Sequence, residues 1–123
     1  MKNASEKLLE LILPKDILDY FYVSETRSTD SRVDVYLEEK NESPIEYKGH
    51  KLESKGFYAE STAQDFPIRG KSFYCHFRRR RWLNHNTGEI VYRDWNKIAK
   101  GTRLTKDFAF FFERAFGQES DKR

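Results

Sequence analysis

Residues 71–95 read KSFYCHFRRRRWLNHNTGEIVYRDW, and this stretch sets the expected fold. Phe73, Cys75 and Phe77 alternate with more polar residues, which is the two-residue period of a β-strand over 71–82. The segment 84–88 is rich in Asn and Gly and is typical of a turn. A second strand is expected to return over 89–95. We therefore predict an antiparallel hairpin whose first strand is strongly basic.

The segments before this hairpin predict two short helices and three more strands. Ser5 is a candidate N-cap for a helix over 5–13, and Pro14 suits the first turn of a second helix over 15–20, so that 5–21 is helical. The period then changes to two residues, as in the alternation of Val33, Val35 and Leu37. The predicted strands cover 22–28, 32–38 and 51–64, with a bulge at Gly56, a loop over 39–50 and a turn over 65–70.

The last segment predicts an amphipathic helix over 105–116, with Thr105 as its cap and Gly117 as its stop. Its apolar stripe comprises Phe108, Phe111, Phe112, Ala115 and Phe116. Residues 118–123 are expected to form a frayed tail. The chain is thus predicted to be one α+β domain over 1–117. It is expected to hold a small antiparallel sheet over 22–95, between short N-terminal helices and a C-terminal amphipathic helix.

Charge is distributed unevenly along the 123 residues. Residues 1–66 contain 9 Lys and Arg against 14 Asp and Glu, whereas 67–123 contain 14 Lys and Arg against 6 Asp and Glu. Such an asymmetry favours a polyanionic partner for the basic half. The sequence shows neither a membrane-length apolar run nor a secretory signal, and the one cysteine forms no internal disulfide. We therefore expect a cytoplasmic protein without membrane association.

The basic hairpin carries the main functional hypothesis. Arginine forks match phosphate oxygens, and nearby aromatic rings can stack on bases or pack the hairpin. The alternative is a solvated basic face, or arginines that pair with the acidic half. Strand alternation separates Arg78 and Arg80 from Arg79 and Arg81, and parity with Phe77 favours the latter two as the inward pair. The candidate nucleic-acid contacts are Arg69, Lys71, Arg78, Arg79, Arg80, Arg81, Trp82, Arg93, Lys97, Lys100 and Arg103.

Signals for catalysis and for metal binding are weak. Cys75 and the histidines lack the spacing of metal ligands, and no nucleophile elbow or phosphate loop is present. We expect no catalytic residue, no metal and no cofactor, so the chain is predicted not to be an enzyme. Cys75 is expected to be a buried thiol.

The C-terminal helix admits two interpretations. Its phenylalanines either close the core or dock a partner, since Phe110 lies off the apolar stripe. The candidate partner contacts are Phe108, Phe110, Phe111 and Phe112.

Several motifs together resemble a known family. They are Leu8-Leu9-Glu10-Leu11-Ile12-Leu13-Pro14, Asp65-Phe66-Pro67-Ile68-Arg69-Gly70-Lys71, Arg78-Arg79-Arg80-Arg81-Trp82, Arg93-Asp94-Trp95-Asn96 and Ala99-Lys100-Gly101-Thr102-Arg103. They resemble the N-terminal region of bacterial insertion-sequence transposases, most closely the ISAon type of Bacteroidetes. That resemblance implies a DNA-binding or assembly module whose catalytic acids belong to a separate polypeptide.

A more distant similarity is to the zinc-ribbon N-terminal region of ISL-type transposases. Its first cysteine knuckle aligns with Ser43-Pro44-Ile45-Glu46, and its second pair falls near Asn84 and Glu89, so no ligand cysteine is kept. The similarity implies a ribbon-like basic hairpin without zinc. Aromatic packing must then hold the core.

The function expected from these observations is recognition of transposon-end DNA without strand transfer. One alternative is a protein-interaction subunit that docks a separate catalytic transposase chain. Another is an RNA-binding domain, because aromatic rings beside arginines also suit single strands.

Overall fold

The computed structural model describes residues 4–14, 16–99 and 106–116. Its elements in chain order are α1 (Ala4–Ile12), α2 (Ile17–Tyr20), β1 (Phe21–Ser28), β2 (Arg32–Glu39), β3 (Leu52–Phe57), β4 (Ser61–Ile68), β5 (Lys71–Arg78), β6 (Arg80–Asn84), β7 (Glu89–Val91), α3 (Trp95–Ala99) and α4 (Lys106–Phe116). A 3₁₀ turn, Ile45–Tyr47, lies between β2 and β3. The predicted α+β class is confirmed. The expected cap Thr105, the stop Gly117 and the tail 118–123 lie outside the described residues.

The strands form two sheets, in the orders β1-β2-β5-β4 and β3-β6-β7. All pairings are antiparallel except that of β2 with β5, which is parallel. The expected sheet was antiparallel throughout. The difference arises because the chain leaves the first sheet after β2 and adds β3 to the second sheet. It returns as β4, and the turn at Arg69 and Gly70 then lays β5 alongside β2.

Two stretches predicted as single strands, 51–64 and 71–82, each contribute to both sheets. The breaks face each other, since the Tyr58 amide donates to the Arg79 carbonyl across 2.8 Å. Gly56, with φ of 84°, lies where the β3–β6 register shifts, so the predicted irregularity in this strand is confirmed. A strand prediction based on period alone does not detect such breaks, because both halves remain extended.

The ends of other strands differ from the predicted ends by a few residues. β4 continues to Ile68, so the predicted turn over 65–70 shrinks to two residues with positive φ, Arg69 and Gly70. β7 ends at Val91, whereas its strand was predicted to reach Trp95. Asp94 ends the extended chain there: its carboxylate accepts a hydrogen bond from the Lys97 amide across 2.9 Å and so caps α3.

α1, α2 and α4 match predicted helices with small shifts, whereas α3 was not predicted. α1 begins at Ala4, so Ser5 lies inside the helix and is not its cap. α2 begins at Ile17 because Asp16, just before it, has a left-handed φ of 79°. Pro14 therefore precedes α2 and does not occupy its first turn.

The core is built from aromatic rings supplied by β1, β5, α3 and α4. Phe21 stacks on Trp95 with ring centroids 5.3 Å apart and meets Phe77 edge-on at 5.1 Å. Phe116 closes the cluster at 5.3 Å from Trp95 and 5.5 Å from Phe77. Phe111 also meets Phe77, at 6.2 Å. These edge-on and offset contacts are the geometries that aromatic pairs favour.

Candidate nucleic-acid interface

The arginine run lies where the chain passes from the first sheet to the second. Arg78 ends β5, Arg79 lies between the strands and Arg80 begins β6. The end of β3 runs beside this crossing, with Phe57 paired to Arg80. Two neighbouring aromatic residues, Phe57 and Tyr58, therefore face four consecutive arginines.

The arginines divide into two pairs around those rings. The guanidinium carbons of Arg78 and Arg80 lie 4.8 and 4.6 Å from the Phe57 centroid. Those of Arg79 and Arg81 each lie 5.6 Å from the Tyr58 centroid. The predicted separation of the two pairs is present in the structure, at distances where cation–π attraction operates.

Intramolecular bonds occupy the pair at Phe57. Arg78 Nη1 lies 3.3 Å from Glu38 Oε2. The Arg80 guanidinium donates through Nε and Nη2 to the Glu39 carbonyl, at 3.2 and 3.1 Å, and through Nη1 to Ser54 Oγ at 2.6 Å. The Arg80 guanidinium is therefore held by intramolecular hydrogen bonds, although strand alternation predicted that Arg80 belongs to the outward pair.

Arg81 on the Tyr58 side differs from Arg80. Its side chain makes no hydrogen bond or ion pair with any residue in the described ranges 4–14, 16–99 and 106–116, and its Nε is buried without a hydrogen-bond acceptor. Arg79 lies over Phe116, 4.9 Å from the ring centroid, as well as over Tyr58. Burial alone does not separate an inward pair from an outward one, because Arg79, Arg80 and Arg81 are all half-buried and only Arg78 is exposed.

Tyr92 also lies on the side of the arginine run that Tyr58 occupies. Its ring meets the Tyr58 ring edge-on, with centroids 5.8 Å apart and planes at 84°. Tyr92 is 53% exposed, whereas Tyr58 is half-buried. We call Tyr58, Arg79, Arg81 and Tyr92 the arginine–tyrosine surface.

Two predicted contacts are wrong because the fold buries them. Trp82 is 1% exposed and cannot stack on a base. Arg93 is 7% exposed, and its Nε donates to Glu39 Oε2 across 2.8 Å while its Nη2 donates to the Glu42 carbonyl. A phosphate cannot reach a guanidinium held in this way.

Glu39 connects the two sheets. Its Oε1 accepts the Arg80 amide at 2.8 Å and its Oε2 accepts Arg93. Desolvation raises the pKa of this carboxyl, and the bonds from Arg80 and Arg93 oppose the rise. Arg93 also lies near the rings of Tyr20, Trp82 and Trp95, which surround the ion pair.

The remaining predicted cations do not join the arginine cluster as one site. Arg69 is exposed, and Lys71 is half-buried at the start of β5. Arg78 lies at the other end of β5, so the rise of an extended strand separates it from Lys71 by about 20 Å. Lys97 is exposed on α3. Lys100 and Arg103 lie outside the described residues.

Two of the predicted partner contacts are also wrong. Phe111 and Phe112 are 3% and 9% exposed because they belong to the core stripe of α4. Phe110 is 44% exposed, as its place off the stripe predicted. The side chain of Phe108 lies outside the described residues.

A histidine network on the outer face of the first sheet had no signal in the sequence. His76 Nε2 lies 2.6 Å from Asp34 Oδ1, and Nδ1 lies 3.0 Å from Thr62 Oγ1 and 3.1 Å from Glu60 Oε2. Its neighbour Cys75 faces the core, where burial raises the pKa of the thiol. Within 4–14, 16–99 and 106–116, no three His, Cys, Asp or Glu side chains are placed to hold a metal ion.

Comparison with known proteins assigns no relative. No protein-family model matches the chain, and no curated protein or solved structure does. Of the helices in the described part of the chain, none has both the length and the apolar character needed to cross a membrane.

Proposed function

We propose that this protein binds DNA through the arginine–tyrosine surface and recognises the ends of an insertion sequence. The observation that carries the proposal is Arg81, a half-buried cation without an ion pair or hydrogen bond among the described residues. A phosphate oxygen is an acceptor that matches the geometry of a guanidinium. The choice of insertion-sequence DNA comes from the resemblance to transposase N-terminal regions.

The surroundings of Arg81 favour an anion. Tyr58 lies beside both Arg79 and Arg81, so two positive charges flank one ring. Packing against the ring restricts both side chains before any ligand arrives, which reduces the entropy that binding must remove. Arg78 lies nearby and is exposed, but it already forms an ion pair with Glu38. Arg78 is therefore expected to contribute less than Arg81.

Fluorescence anisotropy of a labelled DNA duplex at low salt tests the proposal. Arg81→Ala is expected to weaken binding about tenfold, the loss of roughly one charge-assisted hydrogen bond. Arg27→Ala is the matched control, because Arg27 is an exposed arginine of the other sheet with an ion pair to Glu25 at 2.6 Å. That control is expected to stay within twofold of the wild type. Absence of binding by the wild type, or equal losses in both variants, contradicts the proposal.

A second candidate function is suggested by exposed apolar side chains at one end of the first sheet. Leu11 of α1 is 83% exposed, Phe66 of β4 is 79% exposed and Phe110 of α4 is 44% exposed. They line two adjacent depressions of about 250 and 190 Å³. Exposed apolar clusters of this kind often mark protein interfaces. The occupant we propose is a separate catalytic transposase chain, as the resemblance implies.

Co-purification with a transposase chain encoded beside this one tests the second candidate. Phe66→Ser is expected to abolish capture in nuclease-treated extract, while Arg81→Ala leaves capture unchanged. Capture that disappears with nuclease in the wild type shows DNA bridging and contradicts direct docking.

A further inference from the structure

Arg81 of β6 and Tyr92, which follows β7, both lie against the ring of Tyr58. The hairpin pairs Trp82 with Val91 and Leu83 with Ile90. Tyr92 directly follows the end of β7 at Val91, so continuing this register by one residue sets Tyr92 across from Arg81. Side chains at opposed positions of an antiparallel pair lie on one face, about 5 Å apart at Cβ. Trp82 and Val91 are buried, so the alternation directs Arg81 and Tyr92 to the opposite side.

This face offers an aromatic ring as well as a cation. The Tyr58 ring meets Tyr92 at 84°, an edge-on contact that leaves much of Tyr92 exposed. Leu83 and Ile90, the next pair on the same face of the hairpin, extend this face with apolar surface, and Ile90 is 44% exposed. A tyrosine ring exposed to this extent suits a flat ligand group.

We propose that the surface holds an unpaired nucleotide, with its phosphate on Arg81 and its base stacked on Tyr92. This inference rests on the proposed function and deepens it by naming the form of nucleic acid. An intact duplex offers its phosphates to Arg81, but its bases are stacked on one another and present only their edges in the grooves. An unpaired base presents a whole ring face, which every base has, so the contact carries little sequence preference.

Arg81 explains why a nucleotide fits better than an uncharged planar ligand. Its Nε is buried and lacks an acceptor, and no carboxylate from the described part of the chain pairs with the side chain. Because the buried Nε is closed to an external ligand, the phosphate is expected to bind the other nitrogens of this half-buried guanidinium. Base and phosphate are joined in one nucleotide, so the two contacts reinforce each other through a high effective concentration.

The test compares a single-stranded DNA 12-mer with a blunt duplex of the same sequence, each carrying one 2-aminopurine. Tyr92→Ala is expected to weaken binding of the single strand about tenfold, the scale of one base–aromatic stack, and to change duplex binding less than twofold. Tyr92→Phe keeps the ring and is expected to retain wild-type affinity. Tyr22→Ala is the control, because Tyr22 is a 44% exposed tyrosine of the other sheet. Quenching of 2-aminopurine is expected with the wild type and Tyr92→Phe and is expected to be lost with Tyr92→Ala.

The outcomes separate this inference from the proposed function. If Arg81→Ala weakens binding of both probes while Tyr92→Ala changes neither, the protein binds DNA but the stacking site is overturned. Equal losses of single-strand and duplex binding in Tyr92→Ala also overturn it. If the wild type binds neither probe at low salt, both proposals fail. Because Tyr92 is largely exposed, its replacement is expected to leave the unfolding midpoint unchanged.

Discussion

The Nε of Arg93 donates to Oε2 of Glu39 across 2.8 Å, although 54 positions separate the two residues. Glu39 ends β2 in the first sheet, and Arg93 follows β7 of the second. Both side chains are buried, with 9% of Arg93 and 0% of Glu39 exposed. The ion pair joins the two sheets behind the arginine run, and Arg80 bonds to the same glutamate.

Removal of one partner of this ion pair is expected to destabilise the protein strongly. Arg93→Met leaves a buried carboxylate without its counter-ion, which typically costs about 3–5 kcal/mol. The neighbouring pair Glu38–Arg78 provides a matched control, because Arg78 is 48% exposed there and exposed pairs contribute about 0–1 kcal/mol. Urea denaturation of Arg93→Met and Arg78→Met measures both free energies of unfolding. Similar losses of unfolding free energy in the two variants would show that the buried Glu39–Arg93 pair contributes no more to stability than the exposed Glu38–Arg78 pair.

Adjacent phenylalanines in α4 are expected to differ sharply in their contribution to stability. Phe111 is 3% exposed and packs on Phe77, so Phe111→Ala is expected to cost about 3–5 kcal/mol. Phe110 is 44% exposed, so Phe110→Ala is expected to stay within about 1 kcal/mol. Thermal and urea unfolding of the two variants check the difference. A large loss in Phe110→Ala would place that side chain in the core and remove it from the candidate docking surface.

Local periodicity correctly predicted those elements whose hydrophobic pattern lies within one short segment of the sequence. The α4 stripe, the β1–β2 hairpin and the exposed position of Phe110 all follow from spacing within a few residues. The core side of α4 was also correct for Phe111 and Phe116. Such patterns persist in the fold because each element buries one face of its own.

The break at Arg79 explains the error at Trp82. The residues of β5 that face the hydrophobic core are odd-numbered, as at Phe73 and Phe77, whereas the buried residues of β6 are even-numbered, as at Trp82 and Asn84. An interruption of the strand inverts the parity, so Trp82 turns inward although continuous alternation turns it outward. Arg93 was misassigned for another reason, since its partner Glu39 is distant in sequence and no local pattern reveals the pairing.

Asp34 is expected to make the fold sensitive to acid. Its carboxylate accepts hydrogen bonds from Arg32 Nε at 2.9 and 3.1 Å, which together with His76 hold the pKa of Asp34 below its ordinary value, against the opposing effect of desolvation. A carboxyl whose pKa is lower in the folded state stabilises it fully above the unfolded value of about 3.9. That contribution is lost as pH falls from there through the lower folded value.

Asp34→Asn is therefore expected to flatten the decline of stability with acid. Chemical denaturation between pH 6 and pH 2, monitored by circular dichroism, measures the slope. Asp30→Asn is the control, because Asp30 is an exposed residue in the turn between β1 and β2. A slope that is the same in Asp34→Asn as in the wild type would assign the acid sensitivity to other carboxyls.

Cys75 is expected to resist thiol reagents in the native protein. The side chain is 0% exposed, and burial raises the pKa of its thiol, so little reactive thiolate forms. Ellman's reagent is expected to label no cysteine in buffer and one cysteine in urea. Rapid labelling in buffer would show that the core between β5 and α4 opens readily.

The salt dependence of DNA binding is expected to report how many phosphates the arginine–tyrosine surface contacts. Each neutralised phosphate of a duplex contributes about −0.9 to the slope of log affinity against log salt concentration. Arg81→Ala is therefore expected to make the slope shallower by about 1, as well as to weaken binding. Arg27→Ala removes the same charge from a distant strand and is expected to leave the slope unchanged. Anisotropy titrations across a series of salt concentrations measure these slopes. If Arg81→Ala lowers affinity with an unchanged slope, Arg81 supports the fold of the surface and does not contact a phosphate.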